Sequence, residues 1–119
     1  MSGAMSFHAG LSAEGQVAAL YQREGSGIAA HRWRGQYGGE IDLIARDGDT
    51  LIFIEVKKSR SCAEAAARVS ERQMRRIWIS AEEFLTSVPE AANLNMRFDV
   101  ALVDGQGQIQ ILQNAYCFF

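Results

Sequence analysis

Cysteine is scarce in this chain: Cys62 and Cys117 are the two present in 119 residues. They are too few and too far apart for a disulfide framework or a thiolate metal knuckle, and they read as buried or idle thiols. Histidine is equally sparse. His8 and His31 have no companion at metal-ligand spacing, so they read as surface or packing residues. No run approaches the roughly 18 consecutive apolar residues of a membrane span, which argues against a membrane partner. The first ten residues also lack the basic start and apolar run of a secretory signal, and the expected location is cytoplasmic. Neither an internal repeat nor a low-complexity tract is present. Bulk positive charge is missing too: the net charge is −2, which argues against a protein that coats nucleic acid by overall attraction.

What is present suits one compact domain. Apolar residues make up 48% of the chain, enough for one core and no separate regulatory module. Residues 1–10, opening Met1-Ser2-Gly3-Ala4-Met5, read as a flexible leader or an expression scar, which leaves 11–119 as a single domain. The small net charge conceals an uneven distribution. Residues 57–76 hold seven basic and two acidic side chains, whereas acidic residues outnumber basic ones on both sides. Lys57, Lys58, Arg60, Arg68, Arg72, Arg75 and Arg76 therefore offer a phosphate-binding surface, although a solvated helix face has the same composition.

The periodicities predict the element order α-β-β-β-α-β-β. Ser12 caps a first helix whose apolar face is Leu11, Val17, Ala18 and Tyr21, and Gly25-Ser26-Gly27 ends it. Ile28 to Arg34 is extended, and Gly35 with Gly38-Gly39 punctuates the chain before the strand 40–45. An Asp47-Gly48 turn then leads into the strand 51–57, making a hairpin. From Ala63 to Val88 a single long helix is expected, with Val69, Ile77, Ala81, Phe84 and Val88 at helical spacing before Pro89. Strands over 98–103 and 109–112 close the chain. Layer rules make this an α/β fold, a mixed sheet flanked by helices.

Side chains alternate along strands, so Glu40, Asp42 and Ile44 share one side of their strand, and Leu51, Phe53, Glu55 and Lys57 share one side of the next. Asp42, Glu55 and Lys57 can therefore converge. Two carboxylates and an ammonium at the end of apolar strands are costly to bury unless they pair or hold a metal. An ordinary Glu-x-Lys surface ion pair is the simpler account. Phosphodiester hydrolysis gives these residue types a purpose. Hard oxygen ligands suit Mg2+ or Mn2+, and an ammonium can position the nucleophile and offset charge in the transition state.

The run Gly39-Glu40-Ile41-Asp42-Leu43-Ile44-Ala45, followed by Phe53-Ile54-Glu55-Val56-Lys57, resembles the hairpin of YraN-like proteins. That family belongs to the PD-(D/E)XK nuclease superfamily and is similar to archaeal Holliday-junction resolvases. The resemblance implies a restriction-endonuclease-like fold and metal-dependent cleavage of nucleic acid. It implies that Asp42 and Glu55 are metal ligands with the Val56 carbonyl as a further donor, and that Lys57 is the catalytic lysine. Glu14 matches the acidic residue on the first helix of such nucleases. Weaker matches cover Arg32-Trp33-Arg34, the Arg-rich helix, Arg97-Phe98-Asp99-Val100 and Asn114-Ala115-Tyr116. This chain departs from the family where Ala13 precedes Glu14 in place of glycine, and where Gly38-Gly39 is one glycine longer.

Other polar residues have two readings each. Glu14 in a first helical turn is stabilised by the macrodipole whatever else it does. Gln73 falls on an apolar stripe, either presented to the site or bonded to backbone. Glu40 lies one pair beyond Asp42 and suits a supporting role. Asp99 suits pairing with an arginine. Trp33 and Tyr37 can stack on bases, although core or rim packing is the commoner fate of aromatics. The expected function is an endonuclease in which Asp42, Glu55 and Lys57, aided by Gln73 and Glu14, act on DNA that is branched or structured. Lys58, Arg60, Arg68, Arg72, Arg75 and Arg76 would contact the flanking backbone. Related resolvases act as dimers, so a homodimer is one expected partner state, with Tyr116-Cys117-Phe118-Phe119 serving an interface or capping the core. The alternative is a catalytically inactive nucleic-acid- or protein-binding module on a nuclease frame.

Overall fold

The computed structural model describes residues 12–115, without the side chains of Ala91 and Ala92. The expected leader, Leu11, His8 and the tail 116–119 with Cys117 lie outside the described residues. The chain runs α1 (Ala13–Arg23), β1 (Gly27–Arg34), β2 (Glu40–Asp47), β3 (Thr50–Lys58), α2 (Cys62–Ala67), α3 (Glu71–Ser87), a 3-10 segment (Pro89–Asn93), β4 (Asn95–Val103) and β5 (Ile109–Leu112). Among the described residues no helix is long and apolar enough to cross a membrane.

The five strands form one mixed sheet in the order β1-β2-β3-β4-β5. Antiparallel pairing joins β1 to β2, β2 to β3 and β4 to β5, while β3 and β4 run parallel. A parallel pair requires a crossover, and α2 and α3 supply it. This is the α/β arrangement expected, and its strand order is that of a restriction-endonuclease-like fold.

Each face of the sheet buries its own apolar cluster. On one, Ile41, Ile44, Phe53 and Phe98 meet Met74, Ile77, Ala81 and Phe84 of α3. On the other, Leu43, Ala45, Ile52 and Ile54 meet Val17, Ala18 and Tyr21 of α1. The central strands are consequently apolar on both sides. Trp33 packs edge-on against Phe84, with ring centroids 5.4 Å apart, so its fate is the core.

Three sequence expectations are corrected. The single helix over Ala63–Val88 is two helices, because serine side chains cap twice: Ser61 Oγ accepts from the Glu64 amide at 3.1 Å, and Ser70 Oγ from the Gln73 amide at 3.2 Å. The second cap restarts the helix and leaves Arg68 and Val69 outside both. At the far end Val88 turns extended, with φ −120° and ψ 103°, as a residue before proline must. The hairpin turn is centred on Gly48-Asp49, with Gly48 at φ +61° in the first central position, because Asp47 pairs with Thr50. Strict alternation also fails at the start of β2. Ile41 joins the cluster of Ile44 and not that of Leu43. The β2–β3 register stops at Leu43↔Ile54, and Arg32 in the neighbouring strand takes the left-handed value φ +48°. The sheet is distorted where the acidic residues enter.

Candidate active site

Asp42 and Glu55 are brought together by the hairpin. Extending the Leu43↔Ile54 register by one step sets them opposite one another. Asp42 Oδ2 accepts a hydrogen bond of 2.7 Å from the Val56 amide, which anchors that carboxylate on β3. Lys57 Nζ lies 3.7 Å from Glu55 Oε1, with 17% of the lysine side chain exposed. Glu55 is only 5% exposed, and its Oε2 is buried without a hydrogen-bond partner among the described residues. Burial pushes the Glu55 carboxyl well above the usual carboxylate range, and the neighbouring Asp42 raises it further, while Lys57 opposes the rise.

A raised native pKa means that the folded chain binds a proton which the unfolded chain releases. This costs stability as pH climbs past the ordinary carboxylate value of about 4.3 toward the raised native one. Without divalent cations, Glu55→Gln therefore melts higher than the unaltered chain at neutral pH. The gap widens with pH and amounts to about 5 °C. Melting curves of the two proteins at a series of pH values check this.

Asp42 and Glu55 line a cleft of about 490 Å³ with Glu40, Gln73, Arg34, Arg72 and Arg76. Acids thus stand on the sheet side, and two of the three arginines come from α3. Gln73, half-buried, faces this cleft. Of the basic residues expected to bind phosphate, only Arg72 and Arg76 are in its wall. Lys58 and Arg68 lie outside it, with Arg68 donating to the Lys58 carbonyl at 3.0 Å. Arg60 pairs with Glu64 at 3.3 Å and Arg75 with Glu71 at 3.6 Å. Arg34 is a cleft residue that the charge count over 57–76 misses, and its place beside the punctuating glycines was the available signal. Glu14 is not in the wall. Its carboxylate pairs with Arg32 at 2.8 Å. The Arg32 guanidinium is held as a cation by Glu14 first, then by Glu40 and Asp42, so Glu14 is linked to the acids through Arg32.

The segment between Arg34 and Glu40 is fastened to α3. The Glu83 carboxylate accepts from the amides of Gln36 and, at 2.8 Å, Tyr37. Ser80 Oγ donates to the Gly39 carbonyl, and the Gly39 amide donates to the Arg76 carbonyl at 3.0 Å. A Cβ at Gly38 would lie 2.5 Å from the Ser80 nitrogen and 2.7 Å from the Arg76 carbonyl oxygen. Both are helix backbone and cannot yield cheaply. Gly38→Ala is expected to cost about 1–3 kcal/mol, measured by urea denaturation.

The donor set fits a hard divalent cation. Two neighbouring carboxylates, one anchored by the Val56 amide and the other with a buried oxygen that no described donor reaches, are hard oxygen ligands of the kind such ions take. Among the described residues no cluster of three or more His, Cys, Asp or Glu stands ready for a metal. A site here would therefore draw on backbone carbonyl and water oxygens in addition.

The model of the Uncharacterised protein family UPF0102 matches residues 13–103, from α1 through β4. The chain belongs to this family. UPF0102 relatives run its whole length: a UPF0102 protein of Cereibacter sphaeroides strain KD131 is 57% identical over 116 residues, 98% of each chain. A UPF0102 protein of Roseobacter denitrificans is 51% identical over 114 residues, covering 96% of this chain and 88% of its own. A UPF0102 protein of Ruegeria pomeroyi is 50% identical over 108 residues, covering 91% and 87%. The YraN-like resemblance read from the hairpin is thereby borne out. All the candidate catalytic residues lie inside the stretch that matches the UPF0102 model.

Proposed function

We propose that this UPF0102 chain is a metal-dependent endonuclease that hydrolyses phosphodiester bonds of DNA, with branched or structured DNA as the leading substrate. The observation that carries the reading is Glu55: a buried carboxylate with an oxygen that no described donor reaches, 3.7 Å from the Lys57 ammonium, and lining an arginine-walled cleft together with Asp42. A purely structural ion pair does not account for two acid groups pressed together beside one lysine in the interior, where lost hydration is not recovered. Asp42, Glu55 and the Val56 carbonyl would hold Mg2+ or Mn2+. When bound, the ion supplies Lewis-acid polarisation of the phosphate and a more acidic water.

The chain's own residues do the rest. Arg72, Arg76 and Arg34 receive the phosphates flanking the scissile bond. The Lys57 ammonium offsets charge as water oxygen bonds to phosphorus and the ester P–O bond breaks, leaving a phosphate monoester and a hydroxyl end. Gln73 offers an amide for orienting water or phosphate oxygen. Asp42, fixed by the Val56 amide, keeps its geometry through the reaction. The cytoplasm is the proposed compartment and a homodimer the proposed assembly.

The test incubates the protein with linear, flapped and four-way DNA in Mg2+ or Mn2+, beside Asp42→Ala and Lys57→Ala and a chelator control. Cleavage by the unaltered chain, lost with chelator and in both variants, is expected. Equal cutting by all three proteins would mark a contaminant, and no cutting of any substrate would favour the binding-module alternative.

A further inference from the structure

We infer that Tyr37 is a base-stacking platform, and that the cleft takes a strand whose nucleotide beside the scissile phosphate is unpaired. The inference deepens the nuclease reading and rests on its premise that DNA enters this cleft. Tyr37 is 78% exposed, well beyond Ile79 at 42%, the other exposed large apolar side chain among the described residues. Its position sets it apart from an incidental surface aromatic. The segment carrying it runs between Arg34 and Gly39, both of which line the cleft, so Tyr37 belongs to the loop that joins two wall residues.

The backbone there is fixed while the ring is free. Tyr37 and Gln36 donate their amides to Glu83, and Gly38 is pressed onto the α3 backbone. A rigid mount for an uncovered aromatic ring loses little entropy when a flat partner settles on it. The neighbouring wall residues Arg34 and Arg76 supply the charge complement of a phosphate chain. Aromatic faces within a basic groove bind bases of an unpaired strand without reading sequence, because every base has a π face. In a fully paired duplex those faces are stacked on one another, and the ring has nothing to meet.

Fluorescence anisotropy with labelled oligodeoxythymidylate and with a fully paired duplex tests this, Ca2+ replacing Mg2+ to prevent turnover. The unaltered chain is expected to bind the single strand more tightly than the duplex. Tyr37→Ala should weaken single-strand binding by roughly 5- to 150-fold, with duplex binding unchanged. Tyr37→Phe should bind like the unaltered chain, and equal melting temperatures confirm that the exposed site tolerates both changes. A preference for duplex, unchanged single-strand binding by Tyr37→Ala, or equal losses on both DNAs would overturn the inference. Cleavage in Mg2+ is followed in parallel. DNA cutting without a Tyr37 effect on binding overturns the stacking role and leaves the nuclease reading standing. Tyr37-dependent binding with no cutting of these DNAs or of the flapped and four-way substrates keeps the stacking role and overturns the nuclease reading. Binding to neither DNA overturns the stacking role and leaves the nuclease reading to the flapped and four-way substrates.

Discussion

Lys57→Ala is expected to lower the turnover of cleavable DNA by about 10²–10³-fold while changing KM by no more than a few-fold. The side chain is four-fifths shielded from solvent and 3.7 Å from Glu55 Oε1, so its charge acts where water does not dilute it. A charge that matters chiefly as the phosphate passes through its transition state shows in kcat more than in KM. Lys57→Arg should restore little, because a planar guanidinium cannot replace a compact ammonium in a site of this size. Loss of Lys57 also removes the one influence named here that opposes the raised proton affinity of Glu55. A metal ligand must be deprotonated, so the residual activity should begin at higher pH than in the unaltered chain. Steady-state kinetics across pH, with both variants, measures all three effects.

Asp99→Ala is expected to cost about 3–5 kcal/mol, which is a large part of the roughly 5–15 kcal/mol margin of a natural domain. Asp99 is fully buried at the heart of β4. Its two oxygens accept from the Tyr21 hydroxyl at 2.7 Å, from Arg97 Nε and Nη2 at 2.9 and 3.0 Å, and from the Asn114 amide at 3.0 Å. One carboxylate therefore ties α1, the sheet and the segment after β5 to a single point. Its removal strands a buried phenol and leaves Arg97 without its partner, and such unmet groups cost more than the bonds contributed. Tyr21 reports the same environment, since burial and Asp99 together push its hydroxyl far above the ordinary phenol range. Chemical denaturation gives the energy. Asp99→Asn, which keeps the size and part of the bonding, should lose less.

Strands were legible because apolar residues fill both faces of 41–45 and 51–54, and the Asp-Gly signal placed a hairpin between them. The hairpin made the approach of the two strand ends legible but not their register: an Asp47-Gly48 turn sets Asp42 opposite Phe53, and the observed Gly48-Asp49 turn moves it opposite Glu55. Pairing of Asp99 with an arginine was also expected, and the partner is Arg97, two residues back on the same strand. The break between α2 and α3 was not, because an alanine-rich run with serines at both ends supports one helix or two. Only tertiary burial of Ala65, Met74 and Ile77 decides where the second cap forms. Met74 was missed as a core residue for the same reason. Arg34 joined the cleft unseen, since its position depends on how the following glycines close onto α3. The Glu14–Arg32 pair depends on a left-handed backbone at Arg32, a conformation that no local sequence signal at a non-glycine residue announces.

Binding of Mn2+ followed by electron paramagnetic resonance tests the shared cation site most directly, because it needs neither a substrate nor turnover. The unaltered protein should take up Mn2+ at neutral pH with release of the Glu55 proton, so affinity falls as pH drops. Asp42→Ala and Glu55→Gln should each abolish that uptake while remaining folded. Uptake by both variants equal to that of the unaltered chain, or none by any of the three, would contradict the assignment.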